Sequence, residues 1–250
     1  MLSKINPKGS ANLNKEEVKK ESKRIIKEIA ELQKVLYAEK KHSVLIILQG
    51  VDAAGKDGTV RNIFSEINPL GCNVYSFKKP TEEEFAHDFL WRVHKIVPAK
   101  GMIHIFNRSH YEDILVPSVE GYYSKERIEA RYDHINNFER LLKDSGVVIL
   151  KFYLHISKEQ QLERLTERIE NPVKFWKHND GDWESRKKWD AYMRVYDSIF
   201  EKCNEIPWHI VPSDRNWVKV NTVGKVLLKS LKELNMKWPS LETEKFKKED

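Results

Sequence analysis

The pattern of hydrophobic and polar residues alternates between short apolar runs and longer segments with helical spacing. The apolar runs predict five buried strands, at Val44–Leu48, Val74–Phe77, Met102–Phe106, Val147–Leu154 and Trp208–Val211. Between these runs, apolar residues recur every three or four positions, which indicates amphipathic helices. Strands that alternate with helices are typical of a parallel sheet covered on both faces. The pattern therefore predicts a three-layer α/β/α fold around a parallel five-stranded sheet.

The helical segments begin at recognisable signals. The first covers Lys15–Lys41, and its apolar stripe favours contact with the protein's own core over contact with a partner. A capping box at Thr81 and Glu84 begins a helix that carries apolar residues as far as Ile96. Later helices are predicted over Ser124–Lys143, after a cap at Ser157, through Cys203 and over Trp217–Leu234. Each predicted strand is thus followed by a helix, which is the connection that parallel strands need.

The sequence contains no internal repeat and no sign of a second domain. Residues 1–14 are polar and predict a flexible N-terminal lead-in, and residues 241–250 form a charged tail. Residues 15–240 are expected to fold as one domain, since a chain of 250 residues is long enough to bury one sizeable α/β core.

Composition excludes several classes of protein. Charged residues make up 33% and aromatic residues 10%, which suits a globular rather than a disordered chain. No apolar run approaches the ~20 residues needed to span a bilayer, and Met1–Ser10 lacks the apolar centre of a signal peptide. Cys72 and Cys203 have no metal-ligand spacing. We therefore expect a cytoplasmic protein. Its net charge of +6 favours a polyanionic partner, without distinguishing nucleic acid, anionic membrane and phosphate polymer.

The strand Val44–Leu48 leads into the most informative motif, GVDAAGKDGT at residues 50–59. A strand, a loop of small residues and a helix are the context of a phosphate-binding P-loop, in which backbone N–H groups surround an anion. The predicted phosphate-binding residues are Gly50, Ala53, Ala54, Gly55, Lys56, Asp57, Gly58 and Thr59. Asp57 stands where the Walker A pattern has Ser or Thr. The alternative is a glycine-rich turn with a solvated lysine, which would leave the surrounding strand and helix a coincidence.

Asp52 lies inside this loop. A carboxylate within a phosphate cradle is costly unless it serves a cation, so Asp52 is predicted to bind Mg²⁺. A role in orienting the nucleophile or as a base is the second interpretation, and an Asx turn or helix cap is the third.

A second polar segment, Asn107–Asp113, follows the strand Met102–Phe106. Asn107 stands where a Walker B strand ends in Asp, and Arg108 is placed to clamp phosphate oxygens through two hydrogen bonds. Glu112 or Asp113 would supply the missing negative charge; Glu112 is predicted to join Asp52 at the metal. Both carboxylates could instead serve only the dipole at the start of a helix.

Two further groups of cations follow predicted strands. Lys78 would face an acceptor phosphate, although a solvated lysine at a strand end is the simpler interpretation. The segment Arg164–Trp189 combines cations with aromatic residues between two helices, which favours a lid that closes over phosphates and excludes water. Its predicted phosphate-binding residues are Arg168, Lys174 and Lys177.

The longer strings around these residues resemble the polyphosphate kinase 2 family. They are GVDAAGKDGT, NPLGCNVYSFKKPTEEEFAHDFLWR, IFNRSHYEDILV, LHISKEQQLERLTERIENPVKFWK and GDWESRKKWDAYM. The resemblance runs in order from about Lys15 to Leu234. It implies a P-loop kinase fold akin to thymidylate kinase, with a helical lid at about residues 160–192. It also implies Mg²⁺ as the cofactor, with Mn²⁺ as an alternative, and assembly as a homodimer or homotetramer.

The resemblance further implies a reaction and roles in it. Members transfer the terminal phosphoryl group of inorganic polyphosphate to a nucleotide, or run the reverse reaction. Asp52 would organise metal and acceptor, Lys56 would neutralise developing charge, and Arg108 would grip the transferred group. The string FNRSHYED, with Asn107, resembles the branch of the family that accepts nucleoside monophosphates as well as diphosphates. The acceptors implied are AMP or ADP, and also GMP or GDP.

Two other functions compete with this hypothesis. A kinase that uses ATP as donor would fit the P-loop equally well, and only the resemblance favours the polymer. A P-loop switch or nucleic-acid-binding module is the non-enzymatic alternative, but the sequence shows no groove-reading helix and no repeat of aromatic and basic residues. We therefore expect polyphosphate and nucleotides as partners, and neither nucleic acid nor membrane.

Overall fold

A computed structural model of the chain describes residues 2–242. Of the predicted charged tail, only Leu241 and Glu242 fall within this range, and both are exposed. The remainder of the tail lies outside the described residues.

The core of the molecule is one parallel sheet, as the sequence predicts. Its strands are β1 (Ser43–Gln49), β2 (Cys72–Ser76), β3 (Ile103–Asn107), β4 (Val147–His155) and β5 (Trp208–Pro212). They lie in the order β2-β3-β1-β4-β5, and every neighbouring pair is parallel. All seven residues of β1 are buried because this strand lies in the middle. The carboxyl ends of β1 and β3 therefore lie side by side, with Leu48 opposite Asn107.

Helices cover both faces of the sheet. They are α1 (Lys15–Glu39), α2 (Lys56–Ile63), α3 (Glu82–Ala86), α4 (Trp91–His94), α5 (Glu112–Glu120), α6 (Lys125–Asp144), α7 (Lys158–Glu170), α8 (Asp180–Lys187), α9 (Trp189–Lys202) and α10 (Asn216–Glu233). Apolar residues of α1 and α10 form one buried cluster with one face of the sheet, and those of α5, α6 and α9 form another with the opposite face. The predicted three-layer arrangement is confirmed. Among the described residues, no helix is both long and apolar enough to cross a membrane.

The segment after Thr81 differs from its prediction as one helix. The capping box forms as expected, since Thr81 Oγ1 accepts from Glu84 N and Glu84 Oε2 accepts from Thr81 N. The helix nevertheless ends at Ala86, and a separate short helix begins at Trp91. Asp88 Oδ1 accepts a hydrogen bond from Leu90 N at 2.9 Å, and this local bond competes with continuation of the helix.

The N-terminal residues also differ from the flexible lead-in that their polarity predicts. Leu2 is buried, and its N–H donates to Asp197 Oδ1 at 3.2 Å. The carbonyl of Pro7 accepts a hydrogen bond from Asp214 N at 3.0 Å. Residues 2–9 therefore pack beside the end of β5, whereas residues 10–17 are exposed.

The lid region lies between α7 and α9. Ser157 caps α7 by accepting from Gln160 N at 3.1 Å, as the sequence predicts. A 3-10 helix, Pro172–Lys177, and then α8 follow before the chain returns to the core in α9. This placement sets the lid beside the ends of the strands that carry the predicted site residues.

Candidate active site

The loop between β1 and α2 has the geometry of a phosphate cradle. Ala53 and Gly55 both have positive φ, 61° and 96°, so the chain doubles back before α2 begins at Lys56. The φ of Gly55 favours glycine, and a Cβ there would lie 2.3 Å from Lys219 Nζ, so a larger residue would also displace that ammonium. The N-terminus of α2 thus opens into the loop, where its free N–H groups and dipole favour an anion.

Lys56 is folded into this loop. Its ammonium donates to the carbonyls of Gly50 at 2.8 Å and Val51 at 3.2 Å, and only 8% of the residue is exposed. Burial, followed by the charge of Arg108, lowers the pKa of Lys56 to about 8. The side chain is therefore held inside the loop, where a bound phosphate would favour its charged form.

Arg108 connects the two carboxylates that the sequence proposes for the metal. Its Nη2 donates to Asp52 Oδ1 and its Nη1 to Glu112 Oε2, the latter at 3.2 Å. Glu112, and then Asp52, raise the pKa of the guanidinium further. Arg108 also has a φ of 62°, unusual for a residue with a side chain, which redirects the chain where β3 ends. This strained turn brings Arg108 to the phosphate loop.

The carboxylates of Asp52 and Glu112 suit a hard cation. Both carboxylates are largely buried and pair with the same guanidinium, that of Arg108. Gln49 Nε2 donates a hydrogen bond to the other oxygen of Glu112 at 3.1 Å. Asp113, the alternative to Glu112, instead pairs with Arg92 Nη2 at 2.9 Å. Across residues 2–242, no cluster of three or more His, Cys, Asp or Glu residues could hold a metal. Two carboxylates with phosphate oxygens from a substrate are a donor set that Mg²⁺ commonly uses, so the residues fit this ion.

Asp57 and Asn107, the two residues that differ from the Walker patterns, contact each other. Asn107 Nδ2 donates to Asp57 Oδ1 at 2.7 Å. The carboxylate usual at the end of the strand thus stands on α2, and a neutral amide takes its place on β3. The hydrogen-bonded pair therefore keeps one carboxylate between α2 and β3.

A cleft of about 550 Å³ leads from the loop to the lid. Its lining cations are Lys56, Arg61, Arg108, Arg164, Arg168, Lys174, Lys177 and Lys219. Arg168 is braced by Asp182 at 2.5 Å and by the carbonyl of Lys177, and Lys174 is paired with Glu167. The structure thus brings the three predicted lid residues to the phosphate loop. Lys78 is exposed and does not line this cleft.

A second cavity of about 290 Å³ adjoins the first and differs in chemistry. Asp52, Arg108, Asn179 and Asp182 line both. The remaining lining of the second cavity includes the aromatic residues Tyr122, Trp189, Tyr192 and Tyr196 and the carboxylates Glu112 and Glu120. The two spaces therefore meet at the Asp52–Arg108 pair, one cationic and the other aromatic.

Sequence reasoning missed three residues that shape the loop. Gln161 Nε2 donates to Asp52 O at 3.1 Å, Arg164 to Ala53 O and Ala54 O, and Lys219 to Gly55 O at 3.1 Å. Arg164 had a signal, because it lies one helical turn before Arg168. Lys219 had a weaker signal, a charge placed between the apolar residues Val218 and Val220 of α10. Only the folded chain brings them together.

The strand order, the loop and the lid define a P-loop kinase. The family profile described as "Polyphosphate kinase 2 (PPK2)" matches residues 12–239, nearly the whole chain. The chain belongs to the polyphosphate kinase 2 family.

Related proteins agree over most of their length. The AMP/ADP-polyphosphate phosphotransferase of Meiothermus ruber is 48% identical over 217 residues, covering 86% of this chain and 81% of the relative. The ADP-polyphosphate phosphotransferase of Rhodopseudomonas palustris is 39% identical, covering 86% of this chain and 79% of the relative. The crystal structure of polyphosphate kinase 2 from Arthrobacter aurescens TC1 superimposes with a TM-score of 0.94 at 40% identity, covering 98% of this chain and 89% of that one.

Proposed function

We propose that this protein is a polyphosphate-dependent nucleotide kinase, which transfers the terminal phosphoryl group of polyphosphate to a nucleoside mono- or diphosphate and catalyses the reverse reaction. The observation that carries the proposal is the meeting of a cationic and an aromatic cavity at Asp52 and Arg108. A phosphoryl group can pass between two substrates only where both reach the same atoms.

The cationic cleft is assigned to polyphosphate. It presents eight Lys or Arg residues against four carboxylates, Asp52, Asp57, Glu167 and Asp182, among the described residues. A linear polymer with one negative charge or more on every phosphate needs such a surface, and the phosphate loop closes one end of it. Lys174 and Lys177 of the lid would bind phosphates beyond the reacting one.

The aromatic cavity is assigned to the acceptor nucleotide. Its tyrosines and Trp189 offer apolar surface for a base, whereas its cationic lining is Arg108 at the boundary with the cleft. We infer AMP and ADP as acceptors, with GMP and GDP as further ones. The relative from Meiothermus ruber is named for AMP and ADP and that from Rhodopseudomonas palustris for ADP, which supports this choice.

The residues of the site would act mainly by positioning and by charge. Phosphoryl transfer passes through a loose transition state that asks for neutralisation more than for covalent chemistry. Lys56 and the loop N–H groups would hold the donor, while Arg108 would bridge donor and acceptor at the transferred group. Asp52 and Glu112 would hold Mg²⁺, or Mn²⁺ as the alternative, which when bound neutralises phosphate charge.

A donor comparison tests the proposal. The protein would be incubated with AMP, ADP, GMP and GDP, each with polyphosphate or with ATP as donor, and the products separated by thin-layer chromatography. We expect phosphorylation with polyphosphate in the presence of Mg²⁺. Turnover with ATP alone would identify an ATP-dependent kinase and contradict the proposal.

We also infer that the protein acts in the cytoplasm as a homodimer or homotetramer. Cys72 and Cys203 are free thiols, as a reducing compartment allows. The edge strand β2 has Val74 47% exposed, and Phe85 nearby along the chain is 63% exposed, which suits an interface. Light scattering after gel filtration would test the assembly, and a monomer at every concentration would contradict it.

A further inference from the structure

The carbonyl groups of the phosphate loop are all engaged by side chains. Each carbonyl from Gly50 to Gly55 accepts at least one hydrogen bond from a side-chain donor. The donors are Lys56 for residues 50 and 51, Gln161 for 52, Arg164 for 53 and 54, and both Lys219 and the Thr59 hydroxyl for 55. They come from α2, α7 and α10, so three helices hold this one loop.

The direction of these bonds fixes the direction of the loop N–H groups. In a trans peptide the carbonyl of one residue points opposite to the N–H of the next. Donation to Ala54 O and Gly55 O therefore turns the N–H groups of Gly55 and Lys56 away from Arg164 and Lys219. Within the described part of the chain, neither N–H has a hydrogen-bond acceptor, and both belong to the N-terminus of α2.

The donors also change the strength of these N–H groups. A cation bonded to a peptide carbonyl polarises the peptide unit and makes its N–H a better donor. Arg164 acts on the Ala54–Gly55 peptide and Lys219 on the Gly55–Lys56 peptide. Consecutive N–H groups of the cradle are thus both oriented and polarised by a positive charge.

The cations around Gly55 make no direct ion pair among the described residues, although nearby carboxylates act on Lys56 and Arg164. Lys56, Arg164 and Lys219 form no ion pair with any described carboxylate, although Lys219 is only 1% exposed. Burial, together with Arg164 and Lys56, lowers the pKa of Lys219 to about 7. Burying a cation that no carboxylate pairs is costly even where carbonyls accept its hydrogen bonds. A polyanion in the loop would supply the missing charge.

We propose that Arg164 and Lys219 are positioning residues of the phosphate loop, which orient and polarise its N–H groups for the donor polyphosphate. This inference rests on the proposed function, since it concerns the donor side of the same site. Arg164 also donates to Ser213 O at 2.7 Å and Asp214 O at 3.0 Å, so it links the lid helix α7 to the β5–α10 connection.

The variants Lys219→Met and Lys219→Arg test the inference with tripolyphosphate as the probe. Calorimetry would measure tripolyphosphate binding, and steady-state kinetics would give KM for polyphosphate and for ADP. We expect Lys219→Met to weaken tripolyphosphate binding by about tenfold or more, because a charged hydrogen-bond donor is lost, with KM for ADP little changed. Lys219→Arg should recover part of the binding. Lys229→Met, on the exposed side of the same helix, is the matched control and should behave like the wild type.

Thermal unfolding without ligand separates positioning from folding. The melting temperature of Lys219→Met should be no lower than that of the wild type, because the variant removes a buried cation that no described carboxylate pairs, and Gly55 O keeps its hydrogen bonds from Thr59 N and Thr59 Oγ1. Equal tripolyphosphate binding by Lys219→Met and the wild type would overturn this inference alone. Weaker binding accompanied by a lower melting temperature would assign Lys219 a structural role and overturn it too. If the wild type itself failed to bind tripolyphosphate, both this inference and the donor assignment would fall.

Discussion

Arg108 concentrates three properties at one residue: a left-handed backbone, a rigid guanidinium and two carboxylate partners. The flat fork reaches Asp52 and Glu112 together, which a single ammonium on a flexible stem cannot do in the same geometry. Arg108 lines both cavities. In the proposed reaction its guanidinium would therefore lie beside the transferred phosphoryl group.

Arg108→Lys should therefore lower kcat by ~10²-fold, the size of effect seen when one transition-state donor is lost. Steady-state kinetics with polyphosphate and ADP would measure it. Arg140→Lys is the matched control, because Arg140 forms a comparable pair with Glu205 on the surface at 2.5 Å. A loss no larger in the Arg108 variant than in the control would make Arg108 a structural residue.

Lys56→Met should lower turnover by ~10²-fold or more while the protein still folds. In the free protein the ammonium bonds only to loop carbonyls, so the substitution removes charge without leaving a buried carboxylate unpaired. Turnover and thermal unfolding would be measured on the same sample. Near-normal rates would exclude Lys56 from the site.

Lys219 predicts a dependence of stability on pH. Its pKa falls from 10.5 to about 7 in the folded protein. Between these values the unfolded chain binds more protons than the folded one, so the free energy of unfolding should rise with pH from about 7 towards 10. Urea unfolding at several pH values should give a shallower rise for Lys219→Met. Lys56 and Arg164, the neighbouring charges, are present in both proteins. Parallel curves of unfolding free energy against pH would therefore contradict the assignment of this dependence to Lys219.

At the residue scale, the sequence predicted the phosphate loop but not the side chains that hold it in place. Asp57 and Asn107 were visible as two separate departures from familiar patterns. Their hydrogen bond joins residues 50 positions apart and depends on β1 and β3 being neighbours. Lys219, which acts on the loop from 164 positions away, is beyond any local pattern for the same reason.

At the scale of elements, the lid is a set of short helices held at both ends. Gln161 and Arg164 of α7 fasten it to the phosphate loop, and Arg186 of α8 donates to Gln161 Oε1 at 2.8 Å. Between these anchors, Val173 and Trp176 are each nearly four-fifths exposed. The exposed 3-10 helix that carries Lys174 and Lys177 is therefore the part of the lid with the fewest constraints.

The double substitution Lys174→Ala and Lys177→Ala should raise KM for polyphosphate by ~10-fold and change KM for ADP by less than ~2-fold, because only the donor cleft loses charge. Initial rates with each substrate varied in turn would show this. Lys187→Ala removes an exposed lysine of α8 outside the cleft and serves as the control. An equal rise in both KM values would contradict the separation of donor and acceptor.

Strong periodicity made the elements predictable, and local side-chain bonds limited the prediction. The five strands were placed within two residues because each is an apolar run with a clear end. The helix after Thr81 was predicted to be longer than it is, because apolar spacing alone does not reveal the turn in which Asp88 accepts from Leu90 N. The N-terminal residues were expected to be flexible because polarity conceals the contacts of Leu2 and Pro7.

At the scale of the whole molecule, the net charge of +6 is unevenly placed. The cationic cleft is lined by twice as many cations as carboxylates, whereas carboxylates outnumber cations in the lining of the aromatic cavity. Composition alone could not distinguish one kind of polyanion from another. The order of the strands brings cations that are far apart in the sequence to one edge of the sheet, and the positive charge is concentrated there.

This asymmetry predicts a difference in salt dependence. Raising ionic strength from 0.05 M to 0.5 M should increase KM for polyphosphate steeply, because the Debye length falls below ~5 Å over this range. KM for ADP should change much less, since its cavity relies on apolar surface. Kinetics in NaCl, repeated in sodium acetate to exclude an effect of chloride, would measure both. The same dependence for both substrates would contradict the assignment of the two cavities.

Side chains from distant helices donate hydrogen bonds to the carbonyls from Asp52 to Gly55, so the loop does not depend on its own sequence motif alone. Transplanting its ten-letter motif into another βα scaffold would transfer the amides without the distant arginine, glutamine and lysine that aim them. Substitutions at those positions of α7 and α10 should therefore alter the affinity of the loop for anions, although they lie outside its sequence motif.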